Sequence, residues 1–241
     1  MSAVEQTEQK PDNSFTAERL QGVYDAITKR RDIRSFLPDP VPKALLARVL
    51  NAANNAPSVG FMQPWDFLIV ENMETRKKIQ AHVEQERIHA ANGFETERGD
   101  WYLKFKLEGI IDAPVNVLVT CDPSSFGPSV IGRNTIKDTD VYSAVCAVQN
   151  LWLAARAEGL GVGWVSILKN NILKDILGIP EHVIPVAYLC IGYVEKFDDE
   201  PLLKTVGWLP KRSLDDTIYA ERWGQKPDLK YSGYLNGNGS K

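Results

Sequence analysis

Three guanidinium groups crowd into the segment RRDIRSF, at Arg30, Arg31 and Arg34, with Asp32 among them. A guanidinium is a rigid fork of donors that meets phosphate oxygens two at a time, so the cluster reads as an anion site that carries its own carboxylate. Cations at a helix C-terminus also complement the dipole there, which accounts equally well for Lys29, Arg30 and Arg31. Arg34 lies beyond that turn and is left over. A second segment, APSVGFMQPW over residues 56–65, leads from a helix end through small residues into a strand. Its Ser58 and Gln63 could hydrogen-bond a planar polar ligand, or simply stop a helix. The stronger signatures are missing: there is no GxGxxG, Walker loop, HExxH or GxSxG. His82, His89 and His182 are too scattered to suggest a metal centre, and none is expected.

These residues need elements to hold them. Leu20, Val23, Tyr24 and Ile27 recur at i, i+3, i+4, i+7, which predicts a helix over 16–31 with one buried face. A second helix is expected from Pro42 through Ala53, ending at Pro57, with the strand DFLIVE after it. Polar helical stretches follow over 74–91 and 100–111, joined by NGFETERGD, and VNVLVTC reads as a fully buried strand. The wide apolar stripe Val141, Ala144, Val145, Val148, Leu151, Trp152 and Ala155 predicts a central helix closed by GLG as a left-handed cap. The strand VGWVSI, a short helix at 171–178, the strand VIPVAYLCIGYV and a tail with PKR complete the chain. Helices and strands alternate without a strict βαβ rhythm, so the expected class is α+β, a mixed sheet flanked by helices in three layers.

Composition narrows the function. With 44% hydrophobic and 24% charged residues, disorder and disulfide scaffolds drop out, and a net charge of −3 argues against a general nucleic-acid binder. Cys121, Cys146 and Cys190 have no metal-ligand or CxxC spacing and read as buried thiols. No apolar run reaches the roughly 18 residues of a membrane span, and the polar start is not a secretory leader, so a cytoplasmic home is expected. A mobile arm over 1–15, one domain over 16–225 and a flexible tail over 226–241 are the expected organisation.

RRDIRSF, APSVGFMQPWDFLIV, GLGVGWVS and the PKR near the end, in this order and spacing, resemble the nitroreductase-like flavoproteins from about residue 20 to residue 222. That resemblance implies an intertwined homodimer with FMN at the subunit interface. It implies that Arg30, Arg31 and Arg212 anchor the FMN phosphate, with Lys211 a weaker companion. Arg34 would reach the N1/O2 edge of the flavin, Ser58 would lie in the FMN loop, and Ser166 would lie near N5. Two positions depart from the common pattern: Asp32 stands where Ser is typical, and Phe61 where Asn is typical.

RRDIRSF, GDWYLKF and GLGVGWVS together look like the branch of that family that forms 5,6-dimethylbenzimidazole, the lower ligand of cobalamin, by oxygen-dependent fragmentation of reduced FMN with release of erythrose 4-phosphate. In that reading reduced FMN and O2 are consumed, a flavin reductase is the supplying partner, and Asp32 and Ser166 are the catalytic candidates. Asp32 would be the acid/base, or else only an ion-pair partner of the arginines. Residues 82–111, with His89, Asn92, Gly93, Gly99, Trp101, Tyr102 and Phe105, would be a lid or a pair of packing helices. The alternatives are an NAD(P)H-dependent FMN nitroreductase and a flavin-binding protein without catalysis.

Overall fold

The computed structural model describes residues 13–235, so residues 1–12 of the expected arm and 236–241 of the expected tail lie outside the described residues. The backbone divides into two compact units, one ending at Phe197 and the other starting at Asp198. The first unit holds α1 (Ala17–Lys29), α2 (Lys43–Asn54), β1 (Trp65–Ile69), α3 (Met73–Ala91), α4 (Thr96–Leu103), β2 (Val115–Cys121), α5 (Thr139–Ala157), β3 (Gly161–Val165), α6 (Asn170–Leu177) and β4 (Ile184–Gly192). The strands form one sheet in the order β1-β2-β4-β3, antiparallel at every pairing. The parallel part of the expected mixed sheet is a single bridge, Asp32 to Val162.

Strand alternation builds three layers. Val117, Val119, Ala187, Leu189 and Ile191 face one way and pack with Val49 and Ala53 of α2 and with Ala147, Val148 and Leu151 of α5. Leu118, Tyr188 and Cys190 face the other way, against Ile79 and Val83 of α3 and Leu173 of α6. β2, buried on both faces, is the apolar run the sequence predicts. Burial pushes the thiols of Cys121 and Cys190 up to about 12, so both stay protonated, while Cys146 is only half-buried. Among the described residues no helix is long and apolar enough to cross a membrane.

Two expectations are corrected. The stripe of α1 exists, but Leu20, Val23, Tyr24 and Ile27 are 43%, 46%, 57% and 44% exposed among the described residues. The helix expected over 100–111 instead begins at Thr96 and ends at Leu103. Gly99 lets α4 sit directly on the end of α3, where a Cβ would come within 2.7 Å of the Ala91 carbonyl. Beyond it the chain turns: the buried Asn116 amide donates to the Ile110 carbonyl at 3.1 Å, and Glu108 accepts from the Ile110 N–H at 2.6 Å.

Between α1 and α2 the chain lies extended against the edge strand β3. The Ile33 N–H donates to Val162 O at 3.0 Å and the Leu37 N–H to Tyr193 O at 2.9 Å. Glycines make room for this approach. A Cβ at Gly163 would stand 1.9 Å from the Ile33 carbonyl oxygen and 2.7 Å from Arg34 Nη1, and one at Gly161 would meet Ile33 Cγ1 at 2.8 Å. Only Gly159, at φ +82°, serves the left-handed cap expected of GLG; Gly161 is there for close packing.

The second unit carries three single-turn helices, α7 (Leu202–Thr205), α8 (Leu214–Thr217) and α9 (Ser232–Leu235). Ser213 caps α8, accepting from the Asp216 N–H at 3.2 Å. Asp215 binds the N–H of Ser232 at 3.1 Å and also its hydroxyl, bonds that hold its carboxyl below the usual carboxylate range.

Gly163→Ala forces a methyl group against a backbone carbonyl that cannot swing away. It should cost about 3 kcal/mol or more, read as a lower urea midpoint at unchanged m. Gly161→Ala, whose contacts are side-chain atoms, should cost less.

Candidate functional site

The arginine cluster forms where the end of α1 meets α5 and β3. Arg30 is the C-cap of α1, its guanidinium carbon 5.4 Å from the centroid of the Trp152 ring. The same indole donates from Nε1 to the Arg31 carbonyl at 3.2 Å. Arg31 turns back onto the helix end, Nη1 donating to Thr28 O at 2.9 Å and Arg30 O at 2.6 Å. Arg156 reaches from α5 to Lys29 O at 3.2 Å. Cations therefore satisfy the last carbonyls of α1, as the helix-end reading expects.

Arg34 and Asp32 are engaged with each other. Nη1 and Nη2 of Arg34 each donate to a different oxygen of Asp32 at 2.5 Å, a bidentate ion pair. Both partners are tied to the same residue of β3. The Trp164 N–H donates to Asp32 Oδ1 at 3.0 Å, and Arg34 Nη2 donates to Trp164 O at 2.9 Å. The Arg34 side chain is 17% exposed and that of Asp32 46%, so the cation is packed away while the carboxylate remains reachable. Ser166, the residue after β3 and two beyond Trp164, is also exposed. Asp32 and Arg34 are thus joined to Trp164 near the end of β3, and Ser166 follows two residues farther along the chain.

The second segment is a tight turn. Val59–Phe61 form one 3-10 turn, and Ser58 Oγ accepts from the Gln63 N–H at 3.1 Å. Gly60, Phe61 and Gln63 have φ of 57°, 56° and 41°. For the two non-glycine residues such backbone costs roughly 1–3 kcal/mol each and persists only where the surroundings over-determine it. Phe61 nevertheless extends into solvent, 81% exposed. The Ser58 turn and the arginine cluster share a platform, since Ser143 of α5 accepts from the Val59 N–H at 3.1 Å while Trp152 supports Arg30. Ser143 and Trp152 are roughly 13 Å apart along the α5 axis.

Arg212 belongs to the second unit, where Nη2 donates to Asp216 O at 2.9 Å and the side chain lines a groove with Lys204, Leu209 and Lys211. The region read as a lid or a pair of packing helices consists of the second half of α3, α4 and the turns after it. Arg87 of α3 donates to Leu103 O at 2.8 Å, and the rings of Trp101 and Phe105 lie 5.2 Å apart. Burial raises the Tyr102 phenol.

Sequence patterns missed Trp152, Gly163 and Ser143. Trp152 sits in the apolar stripe and reads as core, and its contacts to residues 30 and 31 bridge more than a hundred positions, which no local spacing can signal. The doubled glycine of GVGW was the one available hint of a close backbone approach.

The nitroreductase family model matches residues 27–193. A 5,6-dimethylbenzimidazole synthase of Rhodospirillum rubrum is 40% identical over 183 residues, covering 76% of this chain and 87% of the relative. One of Rhodobacter capsulatus is 37% identical over 188 residues, covering 76% and 91%. In fold, the chain is similar to oxidized iodotyrosine deiodinase bound to FMN and 3-iodo-L-tyrosine, at a TM-score of 0.63 and 24% identity over 83% of this chain and 98% of that one. The family match over most of the first unit, and relatives covered over 87% and 91% of their own length, lead to one conclusion: the chain belongs to the nitroreductase family, among its 5,6-dimethylbenzimidazole synthases.

Proposed function

We propose that this protein fragments reduced FMN with molecular oxygen, forming 5,6-dimethylbenzimidazole and releasing erythrose 4-phosphate. The observation that carries this reading is the exposed Asp32 carboxylate, held by the Arg34 fork and the Trp164 N–H beside Ser166, in a chain 40% identical to a synthase of that name. Reduced FMN supplies both the electrons for oxygen and the carbon skeleton of the product. The donor set fits such a ligand: guanidinium groups at Arg30 and Arg31 suit a phosphate, and the hydroxyls of Ser58 and Ser166 suit the polar edge of a planar ring. Arg212 takes a phosphate role on the family resemblance alone.

Asp32 is the proton acceptor and donor in this reading. Its pairing with Arg34 fixes the carboxylate against rotation while leaving it accessible to a ligand. Arg34 then acts on the ligand with its charge partly balanced by Asp32, and Ser166 donates or accepts a hydrogen bond near the reacting ring. Free cysteines suit a reducing, cytoplasmic setting in which a flavin reductase delivers reduced FMN.

The exposed stripe of α1 supports a homodimer, since Leu20, Val23, Tyr24 and Ile27 are apolar, aligned and left exposed by the described residues. Sedimentation should give twice the chain mass of 27.0 kDa, and Leu20→Glu with Ile27→Glu should shift the protein to monomer; a monomeric wild type refutes the dimer.

Aerobic incubation with FMN and a flavin-reducing system should give 5,6-dimethylbenzimidazole by mass spectrometry, dependent on protein and on oxygen. Intact FMN cycling with NADH and a nitroaromatic acceptor would establish the reductase instead, and bound but unreacted FMN a carrier. Asp32→Asn should bind FMN normally and lose product formation by about 100-fold or more. Unimpaired product formation in that variant removes Asp32 from the chemistry.

A further inference from the structure

Arg133 and Asp140 form a buried ion pair that no motif marks. Arg133 Nε donates to Asp140 Oδ1 at 2.9 Å, with the side chains 10% and 5% exposed. The rest of the guanidinium is spent on three other places: Nη1 on Gly127 O at 2.6 Å, and Nη2 on Ser125 O at 3.2 Å and Met62 Sδ at 3.5 Å. One side chain therefore ties the 125–127 bend, the first turn of α5 and the end of the Ser58 turn.

The same elements grip that turn a second time. Ser143, one helical turn beyond Asp140, accepts from the Val59 N–H and donates to Thr139 O at 2.7 Å. Gly60 is pressed against the 130–131 backbone so closely that a Cβ would lie 2.5 Å from Val130 Cγ1 and 2.7 Å from Ile131 O. A Cβ at Gly132 would lie 2.6 Å from Val59 Cγ1. The Ser58 to Gln63 hydrogen bond closes the turn from within, but left-handed backbone at Phe61 and Gln63 needs an external hold, and residues 125–143 supply it.

Stability alone does not account for a charged pair here. A buried ion pair often stabilises no better than well-packed apolar residues of similar volume, whereas a guanidinium can fasten four partners in one geometry. We propose that Arg133 and Asp140 are positioning residues for the flavin, holding the Ser58–Gln63 turn in the left-handed conformation in which it binds FMN. This rests on the reading of the Ser58 turn as an FMN-binding segment.

The test compares FMN dissociation constants, from quenching of flavin fluorescence, with thermal midpoints and the visible circular dichroism of bound flavin. The Arg133→Met/Asp140→Leu variant should keep its thermal midpoint, bind FMN about tenfold or more weakly and change the flavin signal. A folded double variant with wild-type affinity and signal overturns the proposal. Should that variant not fold, Arg133→Lys decides, because it keeps the charge facing Asp140 and loses the fork: weaker binding by the folded protein supports the proposal, and wild-type binding overturns it. Ser58→Ala separates the two readings. Weaker FMN binding in Ser58→Ala, with wild-type binding in the Arg133 variants, overturns the clamp alone. Unchanged binding in Ser58→Ala overturns the turn as an FMN segment, and the clamp with it.

Discussion

The charged pair of the candidate site depends on how closely residues 32–34 approach β3. The Ile33 N–H to Val162 O bond covers the free edge of the sheet, and Trp164 offers its N–H to Asp32 and its carbonyl to Arg34. Only a strand without a side chain at 163 admits a second backbone at that distance, and the bare position at 161 leaves room for the Ile33 side chain. An edge strand that would otherwise present unpaired groups becomes the support for the charged pair. Packing and chemistry are here a single constraint, because the glycines that permit the contact also decide where Asp32 and Arg34 stand.

Helix α5 plays the corresponding part on the other side. One face fills the core with Ala147, Val148 and Leu151, and the same helix presents Trp152 to the arginine cluster and Ser143 to the Ser58 turn. A central helix buried over most of its length is hard to displace, so features built on it keep a fixed separation. The arginine cluster owes its geometry to helix-end hydrogen bonds and an indole face, and the Ser58 turn owes its geometry to a buried ion pair and close glycine contacts.

The charges are arranged economically. Arg31 and Arg156 satisfy the carbonyls at the end of α1, Arg34 pairs with Asp32, and Arg133 with Asp140. Of the two carboxylates held by arginine at the site and beneath it, Asp140 is sealed and Asp32 is reachable. That difference in access separates a group that can exchange protons with a ligand from one that can only hold structure.

Most of the layers were legible in the sequence because they follow from local periodicity. The unbroken apolar run of β2, the wide stripe of α5 and the proline-bounded α2 each declare their element within a few residues. The order of RRDIRSF, the Ser58 turn and GLGVGWVS likewise declared the family. The fate of the α1 stripe was not legible, because periodicity says that a face is apolar and not what covers it. Nor was the true extent of α4, which is set by Gly99 packing on α3 and by the Asn116 amide holding residues 110–113 in turns. Which residue of β3 Asp32 and Arg34 would meet, why Gly163 must be glycine, and the joining of Arg133 to Met62 were decided only by the tertiary structure. Each is a contact between segments that the chain brings together from a distance, and hydrogen-bond geometry at that range is a property of the packed backbone, which no local pattern encodes.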